Sequence, residues 1–283
     1  MDDLKIVLNV RELLNDFLQE DVGTGDITSN AMIPADLKAT AEIVSKSPLA
    51  VVCGLQEAST LFDICGCDSY MLVRDGSKVS KGTTVMKVSG NARAILKAER
   101  TALNIIMRMS GIATQTRRLA DRANGVTIMA TRKTAPGLRY FDKKAVVLGG
   151  GAAHRMRLDD MVLIKDNHLA LSSDVAKTIR LVRENVGSAI KVECEARTTE
   201  EALAVAAAEP DIVMLDNFTP RQAKQTVTKI RRMGLGKNVK IELSGGINEK
   251  NIRHYQRAKP DFISIGYITH SSGAANFSLE IMK

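Results

Sequence analysis

The chain has 283 residues and a formal net charge of +8, with 45% hydrophobic and only 4% aromatic residues. Disordered and fibrous classes are excluded by this ordinary globular composition, and the length allows one large domain or two modest ones. No run reaches the ~18 consecutive apolar residues of a membrane span. Asp2 and Asp3 stand where a secretory signal would be basic and then apolar, so we expect a cytoplasmic protein that does not enter a membrane. The cysteines lack a second C-x2-C half, which predicts plain buried thiols rather than disulfides or a zinc site: Cys53, Cys65, Cys67 and Cys194.

The first part of the chain predicts a mixture of helices and antiparallel strands. Leu4 to Glu20 has apolar residues at helical spacing, including Leu4, Val7 and Leu8, and is followed by a turn-rich run from Asp21 to Asp26. Lys38 to Gly90 is rich in Val, Thr, Ile and Ser with turn signals, which indicates short antiparallel strands around at least one helix. Asn91 to Arg122 lacks proline and is interrupted only at Gly111, which predicts one or two helices.

Beyond Gly125, short apolar runs alternate with helical stretches. Strands buried on both faces and separated by helices indicate a parallel sheet built from βαβ units. We predict six such strands: Val126–Ala130, Met161–Ile164, Ile190–Cys194, Ile212–Leu215, Val239–Leu243 and Phe262–Ile265.

Polar residues or glycines follow each of these runs. In an α/β barrel the strand C-termini open onto one face, where sites are built and the last loops commonly hold a phosphate. Six units are too few for an eight-stranded barrel, so we expect an incomplete one. The residues at these ends include Arg132, Lys133, Lys165, Glu195, Asp216, Ser244, Gly245, Gly246 and Gly266.

The positive charge is concentrated between Thr131 and Lys165. This segment holds eight basic and three acidic residues and therefore carries +5 of the net charge of +8. Lys143, Lys144 and Arg157 fit solvated helix faces, whereas the basic residues at strand ends face the expected site. Arginine binds carboxylate or phosphate through two hydrogen bonds and lysine acts as a point charge, so the expected ligand carries several negative charges.

Spacing alone leaves several roles open. His154, after the glycines at 149–151, fits either a ligand contact or a packed structural histidine. Ser244–Gly246 and Gly266 permit close backbone approach of a phosphate. Glu195 and Asp216 fit an acid/base couple, Mg²⁺ ligands, acceptors for sugar hydroxyls, or mere ion-pair partners of the basic cluster.

Four functions are compatible with these residues. They are an enzyme acting on a phosphorylated sugar, a Schiff-base aldolase using Lys165, a non-catalytic sensor of a phosphorylated ligand, and a nucleic-acid binder. The last is disfavoured, because the basic residues are not interleaved with aromatic ones and no reading motif is present.

Collinear motifs over nearly the whole chain resemble the quinolinate phosphoribosyltransferase family. They run from Asp21–Asp26 onward and comprise Ala98–Asn104, Ser110–Thr114, Thr131–Arg139, Gly149–Arg155, Leu163–His168, Leu215–Phe218, Ser244–Gly246 and Thr269–Ser271. A paralogous group associated with molybdenum transport shares the Thr-Arg-Lys and Gly-Gly-Gly motifs. The run Ile164–His168 favours the quinolinate enzyme over that group, and a Schiff-base aldolase using Lys165 remains the other alternative.

The resemblance implies a fold and an assembly. An N-terminal α/β sandwich, residues 1–113, would be completed by the tail 272–283 and packed on an incomplete seven-stranded α/β barrel, residues 114–271. The family resemblance also implies a homodimer in which Arg100 reaches the partner's site. Further assembly into a hexamer is left open.

The resemblance also implies an activity: quinolinate and phosphoribosyl pyrophosphate would give nicotinate mononucleotide, CO₂ and pyrophosphate, with Mg²⁺, in NAD biosynthesis. Arg100, Arg132, His154, Arg155 and Lys165 would hold the two carboxylates of quinolinate, and Lys133 would face pyrophosphate. Glu195 and Asp216 would contact the ribose hydroxyls and Mg²⁺, directly or through water, and act with Lys165 as catalytic residues. Ser244, Gly245, Gly246 and Gly266 would bind the 5′-phosphate. One departure from the family pattern is Arg197, where relatives commonly have an acidic residue.

Overall fold

The computed structural model describes residues 9–172, 174–235 and 238–282. Within these ranges no helix is both long and apolar enough to cross a membrane. Leu4, Val7 and Leu8 of the predicted first helix lie outside the described residues.

Residues 9–123 form four helices and five strands. The first helix begins at Val10, where the Asn9 side chain accepts a hydrogen bond from the Glu12 amide. In chain order the elements are α1 Val10–Val22, α2 Ile27–Met32, β1 Lys38–Ser45, β2 Leu49–Val51, α3 Leu55–Ile64, β3 Asp68–Met71, β4 Lys78–Ser80, β5 Thr84–Asn91 and α4 Ala92–Ala123.

From residue 127, strands and helices alternate. The elements are β6 Thr127–Met129, α5 Arg139–Leu148, β7 Val162–Ile164, α6 Asp166–Leu169, α7 Val175–Val186, β8 Val192–Ala196, α8 Thr199–Ala207, β9 Ile212–Asp216, α9 Pro220–Arg232, β10 Lys240–Ser244, α10 Ile252–Gln256, β11 Phe262–Ser264, α11 Tyr267–His270 and β12 Phe277–Ile281. Side-chain caps explain where several helices begin. Thr198 and Glu201 form a capping box at α8, and Thr219 and Gln222 form another at α9.

Contacts divide the chain into two compact units. The first contains the described residues through Arg117, together with Pro136–Gly149 and those from Ser271 onward. The second contains Arg118–Ala135 and Gly150–His270. The chain passes from one unit to the other within α4.

The first unit is built on a four-stranded antiparallel sheet. Its strand order is β12-β1-β5-β3, and β2 pairs separately with β4. The C-terminal strand β12 pairs with β1 in the register Ala41↔Ile281 to Ser45↔Phe277. Ala41 and Ile43 are fully buried on one face of β1, as expected for a sheet with one covered face. The antiparallel strands predicted between Lys38 and Gly90 are confirmed.

Helix α4 runs without interruption through Gly111. A methyl group built at Gly111 would collide with the carbonyl oxygen of Gly273 and lie 3.0 Å from Ala274 Cα. The glycine is therefore explained by the close approach of the C-terminal backbone, and the one or two helices predicted for this stretch form a single helix. The absent side chain of Gly111 makes room for a neighbour without ending the helix.

Helix α5 belongs to the first unit by its contacts, although the boundary drawn from the sequence places it with the barrel. Asp142 is buried and accepts two hydrogen bonds from Arg108, at 2.7 and 2.8 Å. Lys144 forms a 2.6 Å ion pair with the buried Glu57. Asp142 and Lys144 lie on α5 and meet partners from distant parts of the first unit. The expectation that Lys143 and Lys144 lie on solvated helix faces is therefore wrong, because Lys143 is fully buried and Lys144 pairs with a buried glutamate.

The second unit contains a parallel sheet of six strands in the order β6-β11-β10-β9-β8-β7. All six strands predicted from the apolar runs are present, and β8 is buried at every position. The resemblance implied seven strands. In the described part of the chain the sheet has six strands, and the pairing beyond them is a single parallel bridge between Met129 and Ala152.

Candidate active site

The carboxyl ends of the parallel strands surround a cavity of about 420 Å³ in the second unit. This is the edge at which the sequence predicts a site, because all parallel strands of one sheet end on the same side. Ten of the predicted site residues line it: Arg132, Lys133, His154, Arg155, Lys165, Glu195, Asp216, Ser244, Gly245 and Gly246.

Two predicted residues do not line the cavity. Gly266 lies next to the Lys133 side chain, since a methyl group built on it would be 3.0 Å from Lys133 Cδ. Arg100 is an exposed residue of α4 in the first unit. Its predicted role belongs to a dimer and stays a prediction.

Five cationic side chains line the cavity, together with four carboxylates. Arg132, Lys133 and Lys165 are exposed at the mouth, whereas Arg155 is 9% exposed. Burial, and secondarily the charge of Arg132, lower the pKa of Arg155. One Arg155 nitrogen is held by the Met161 carbonyl oxygen at 3.2 Å. This concentration of positive charge suits a ligand with several anionic groups.

Glu195 lies between two cations. Its Oε2 is 3.4 Å from Lys165 Nζ and its Oε1 is 3.9 Å from Arg197 Nε. Arg197 also pairs with Asp166. Burial raises the pKa of Glu195, Lys165 lowers it and Asp216 raises it. The pairing of Lys165 with a carboxylate does not favour the Schiff-base interpretation, which needs a free amine as nucleophile.

Asp216 is held by its neighbour Asn217. Asn217 donates from Nδ2 to Asp216 Oδ2 at 2.7 Å, and its amide donates to the Ser244 carbonyl oxygen at 2.9 Å. Asn217 has a positive φ of 58°, and the adjoining Gly245 has a φ of 93°. A methyl group on Gly245 would collide with the Asn217 side chain and lie 2.7 Å from its backbone nitrogen. Gly245 is therefore required where the two strand ends approach.

Lys133 is supported from α11 and the turn before it. The Thr269 hydroxyl donates to the Lys133 carbonyl oxygen at 2.9 Å, and Thr269 is 2% exposed. The absent side chain of Gly266 leaves room for the Lys133 stem. Thr269 was not singled out as a site residue, because nothing in the spacing connects residues 133 and 269.

His154 and Glu242 line the cavity, and a second buried glutamate, Glu193, contacts His154. His154 Nε2 is 3.1 Å from Glu193 Oε2 and 3.6 Å from Glu242 Oε2, and Ser264 donates to Glu242. Burial lowers the pKa of His154, but hydrogen bonds and charges of the glutamates outweigh it and raise this pKa to about 9. Burial raises the pKa of Glu193 to about 7.

Glu193 and Glu242 were missed from the sequence because each lies inside an apolar run. The alternation Glu193-Cys194-Glu195 was the available signal: residues two apart on a strand share a face, so Glu193 points to the same side as the predicted site residue Glu195. Of the four cysteines predicted to be buried thiols, Cys53, Cys67 and Cys194 are buried, whereas Cys65 is only half-buried.

The residues that could hold Mg²⁺ are Glu195 and Asp216. Mg²⁺ prefers carboxylate oxygens and commonly binds through one or two of them together with substrate phosphates. Their carboxylates repel each other enough for Asp216 to raise the pKa of Glu195, a repulsion that a cation would relieve. The donor set therefore fits the ion.

Comparisons with known proteins agree over both parts of the chain. The family model described as "Quinolinate phosphoribosyl transferase, N-terminal domain" matches residues 26–110, and that described as "Quinolinate phosphoribosyl transferase, C-terminal domain" matches residues 112–280.

Relatives and solved structures resemble the chain over nearly its full length. A Methanothermobacter thermautotrophicus protein named "Probable nicotinate-nucleotide pyrophosphorylase (carboxylating)" is 41% identical, over 95% of this chain and 98% of that protein. The Mycobacterium leprae nicotinate-nucleotide pyrophosphorylase (carboxylating) is 37% identical over 96% of each chain. The structure of the nicotinate-nucleotide pyrophosphorylase from Francisella tularensis superposes with a TM-score of 0.91, at 34% identity and covering 100% of both chains.

Proposed function

The chain belongs to the quinolinate phosphoribosyl transferase family, and from that premise we propose that it transfers a phosphoribosyl group to quinolinate. The donor is phosphoribosyl pyrophosphate, and the products are nicotinate mononucleotide, CO₂ and pyrophosphate. The observation that carries the proposal is the cavity itself, which is lined by five cationic side chains and four carboxylates; those assigned to the substrates are Arg132, Lys133, Arg155, Lys165, Glu195 and Asp216.

The cations divide between the two substrates in this proposal. Arg132, His154, Arg155 and Lys165 receive the two carboxylates of quinolinate, because paired cations select a dicarboxylate over a monocarboxylate. Lys133 receives the pyrophosphate. Ser244, Gly245 and Gly246, with Gly266 behind Lys133, accommodate the 5′-phosphate, to which glycine backbone can approach closely.

The chemistry makes limited demands on the protein. The pyridine nitrogen forms a bond to C1 of the ribose while the C1–O bond breaks and its electron pair leaves with pyrophosphate. The transition state resembles an oxocarbenium ion, so positioning and charge compensation are the main contributions. Glu195 and Asp216 supply negative charge beside the ribose and accept hydrogen bonds from its hydroxyls.

Decarboxylation follows the ribosyl transfer. The ring nitrogen is then cationic, so when the bond from C2 to its carboxylate breaks, the electron pair remains on C2 beside that charge. CO₂ leaves, and C2 takes a proton from solvent. Mg²⁺, when bound by Glu195 and Asp216, supplies positive charge to the pyrophosphate leaving group.

The test is turnover with phosphoribosyl pyrophosphate and either quinolinate or nicotinate. We expect quinolinate to yield equal amounts of CO₂ and nicotinate mononucleotide, with nicotinate much slower. Faster turnover of nicotinate than of quinolinate would refute the proposal. Tight binding of quinolinate without any product would also refute it, in favour of a non-catalytic sensor. Borohydride with a carbonyl substrate should leave Lys165 unmodified; a covalent adduct there would support an aldolase instead.

The assembly is part of the proposal. We propose a homodimer with Arg100 of each subunit acting in its partner's site, and a cytoplasmic location. Mixing Arg100→Ala chains with Lys165→Ala chains should restore activity, because one of the two sites in the mixed dimer is then intact. No recovery in a mixture shown to contain mixed dimers would argue against sharing.

A further inference from the structure

Arg197 lines the cavity but is assigned to neither substrate in the proposed function. It is the first residue after β8, and its guanidinium contacts carboxylates at two neighbouring strand ends. A terminal nitrogen pairs with Asp166, which begins α6 after β7, and Nε lies 3.9 Å from Oε1 of Glu195 on β8. The planar guanidinium thus bridges the ends of β7 and β8, an arrangement that the single ammonium group of lysine does not reproduce.

The main chain at Arg197 is anchored as well. Its amide donates a hydrogen bond to Glu201 Oε2 at 2.7 Å, and Glu201 belongs to the capping box at the start of α8. The Arg197 side chain is 55% exposed, and an arginine with that exposure and no partner would sample many rotamers. Anchors at the amide and at the guanidinium give Arg197 one position in the cavity wall.

The bridge also fixes the segment that carries Lys165, because Asp166 is the next residue. The Lys165 amide donates to His168 Nδ1 at 2.9 Å, and Lys165 Nζ lies 3.4 Å from Glu195 Oε2. Four side chains therefore form a ring of alternating charge, which the chain itself closes between the first and the last of them: Lys165, Glu195, Arg197 and Asp166. Each oxygen of the Glu195 carboxylate faces one cation of this ring.

The ring matters because the proposed function gives Lys165 and Glu195 different partners. Lys165 receives a carboxylate of quinolinate, whereas Glu195 accepts hydrogen bonds from the ribose. The Glu195 side chain is only 6% exposed, and a buried carboxylate left without a counter-ion is strongly destabilised. If Lys165 were the only cation at Glu195, quinolinate would have to compete with Glu195 for it. A second cation on the opposite oxygen, Arg197, reduces that competition.

From this geometry we infer that Arg197 is a positioning residue for quinolinate, which bridges Glu195 and Asp166 and so leaves Lys165 available to the substrate carboxylate. The inference rests on the proposed function and adds a residue that does not touch quinolinate. The competing role is a direct contact between Arg197 and the pyrophosphate of the donor. The two carboxylates that already face Arg197 oppose that role, because they compensate its charge.

The decisive variant is Arg197→Gln, with Arg183→Gln as the matched control. Arg183 on α7 also forms an ion pair with an aspartate, Asp211, at 2.6 Å, but it does not line the cavity. Losing the bridge should raise the KM for quinolinate roughly fivefold. The KM for phosphoribosyl pyrophosphate should change much less, and the control should match the unaltered enzyme in both. Arg197→Lys should recover only part of the quinolinate KM, since one ammonium group reaches a single carboxylate.

A double-mutant cycle with Asp166→Asn tests the bridge itself. Arg197→Gln in a protein that already has Asp166→Asn should raise the KM for quinolinate less than it does in the unaltered protein, because one end of the bridge is then already lost. Full additivity of the two losses would overturn the inference, as would a raised KM for phosphoribosyl pyrophosphate with an unchanged KM for quinolinate. A lower melting temperature with both KM values unchanged would overturn it in favour of a merely structural role. If the unaltered protein makes no product from quinolinate, the proposed function fails first; if it does and Arg197→Gln keeps its quinolinate KM, the inference alone fails.

Discussion

Replacing Gly245 by alanine tests whether the close approach of two strand ends holds Asp216 in place. The new methyl group would collide with the Asn217 side chain and lie 2.7 Å from Asn217's backbone nitrogen. Rotating the side chain would relieve only the first collision and would break its 2.7 Å hydrogen bond to Asp216. Gly246→Ala is a matched control, because Gly246 also has a positive φ but a methyl group there meets nothing within 4 Å.

The two variants share one cost and differ in another. Alanine at a positive φ costs about 1–2 kcal/mol in both. Overpacking against Asn217 adds about 1–3 kcal/mol in Gly245→Ala alone. At roughly 2 °C per kcal/mol for a chain of this size, Gly246→Ala should melt a few degrees lower than the unaltered protein, and Gly245→Ala lower still.

Activity and melting temperature together provide the assay. Because the collision displaces Asn217 and with it Asp216, Gly245→Ala should lose about tenfold or more in kcat, the equivalent of about 1.4 kcal/mol. Gly246→Ala should retain most of its kcat and show its defect mainly in the KM for phosphoribosyl pyrophosphate. Equal losses of kcat in both variants would refute the proposed link from Gly245 to Asp216.

Three further predictions concern other positions. Gly111→Ala should lower the melting temperature despite the ~1 kcal/mol by which alanine favours a helix over glycine, because the new methyl group would collide with the C-terminal backbone. Gly273→Ala is the control, since its methyl group meets nothing within 4 Å and its melting temperature should equal that of the unaltered protein. A raised melting temperature of Gly111→Ala would contradict this explanation of the glycine. Thr269→Val removes the hydrogen bond to the Lys133 carbonyl oxygen and should raise the KM for phosphoribosyl pyrophosphate by roughly fivefold, the equivalent of about 1 kcal/mol. The KM for quinolinate should stay unchanged, and an unchanged KM for phosphoribosyl pyrophosphate would exclude this role of Thr269. The pKa of His154 is raised from 6.5 to about 9, so protonated His154 contributes at most about 3 kcal/mol to the free energy of unfolding; this contribution is complete below pH 6.5 and is lost as the pH rises through 9. Between pH 6.5 and 9 the melting temperature should therefore fall more in the unaltered protein than in His154→Asn. Parallel curves of melting temperature against pH would rule out this contribution of His154.

The second unit was largely predictable from the sequence because its strands are buried on both faces and appear as short apolar runs. The polar residues that follow them meet at one edge for a topological reason that needs no side-chain detail. Lys165, Glu195 and Asp216 were found in this way. Arg132 and Lys133 were found by the same rule, aided by the local excess of positive charge.

The parts that were missed depend on contacts between distant residues. Glu193 and Glu242 are charged residues inside apolar strands, and only the three-dimensional arrangement of the second unit brings them to His154. Helix α5 resembles the helices of the second unit in its local pattern, but its charged side chains Asp142 and Lys144 pair within the first unit. Such pairings leave no periodic signal in the sequence.

The central claim is that the cations at the strand ends bind quinolinate through its two carboxylates. A crystal structure of the protein with quinolinate bound tests this most directly. The account predicts one carboxylate within hydrogen-bond distance of Arg155 and the other facing Arg132 or Lys165, with His154 still bonded to Glu193. Quinolinate bound away from these cations, or held by a single carboxylate with the other in solvent, would contradict the account.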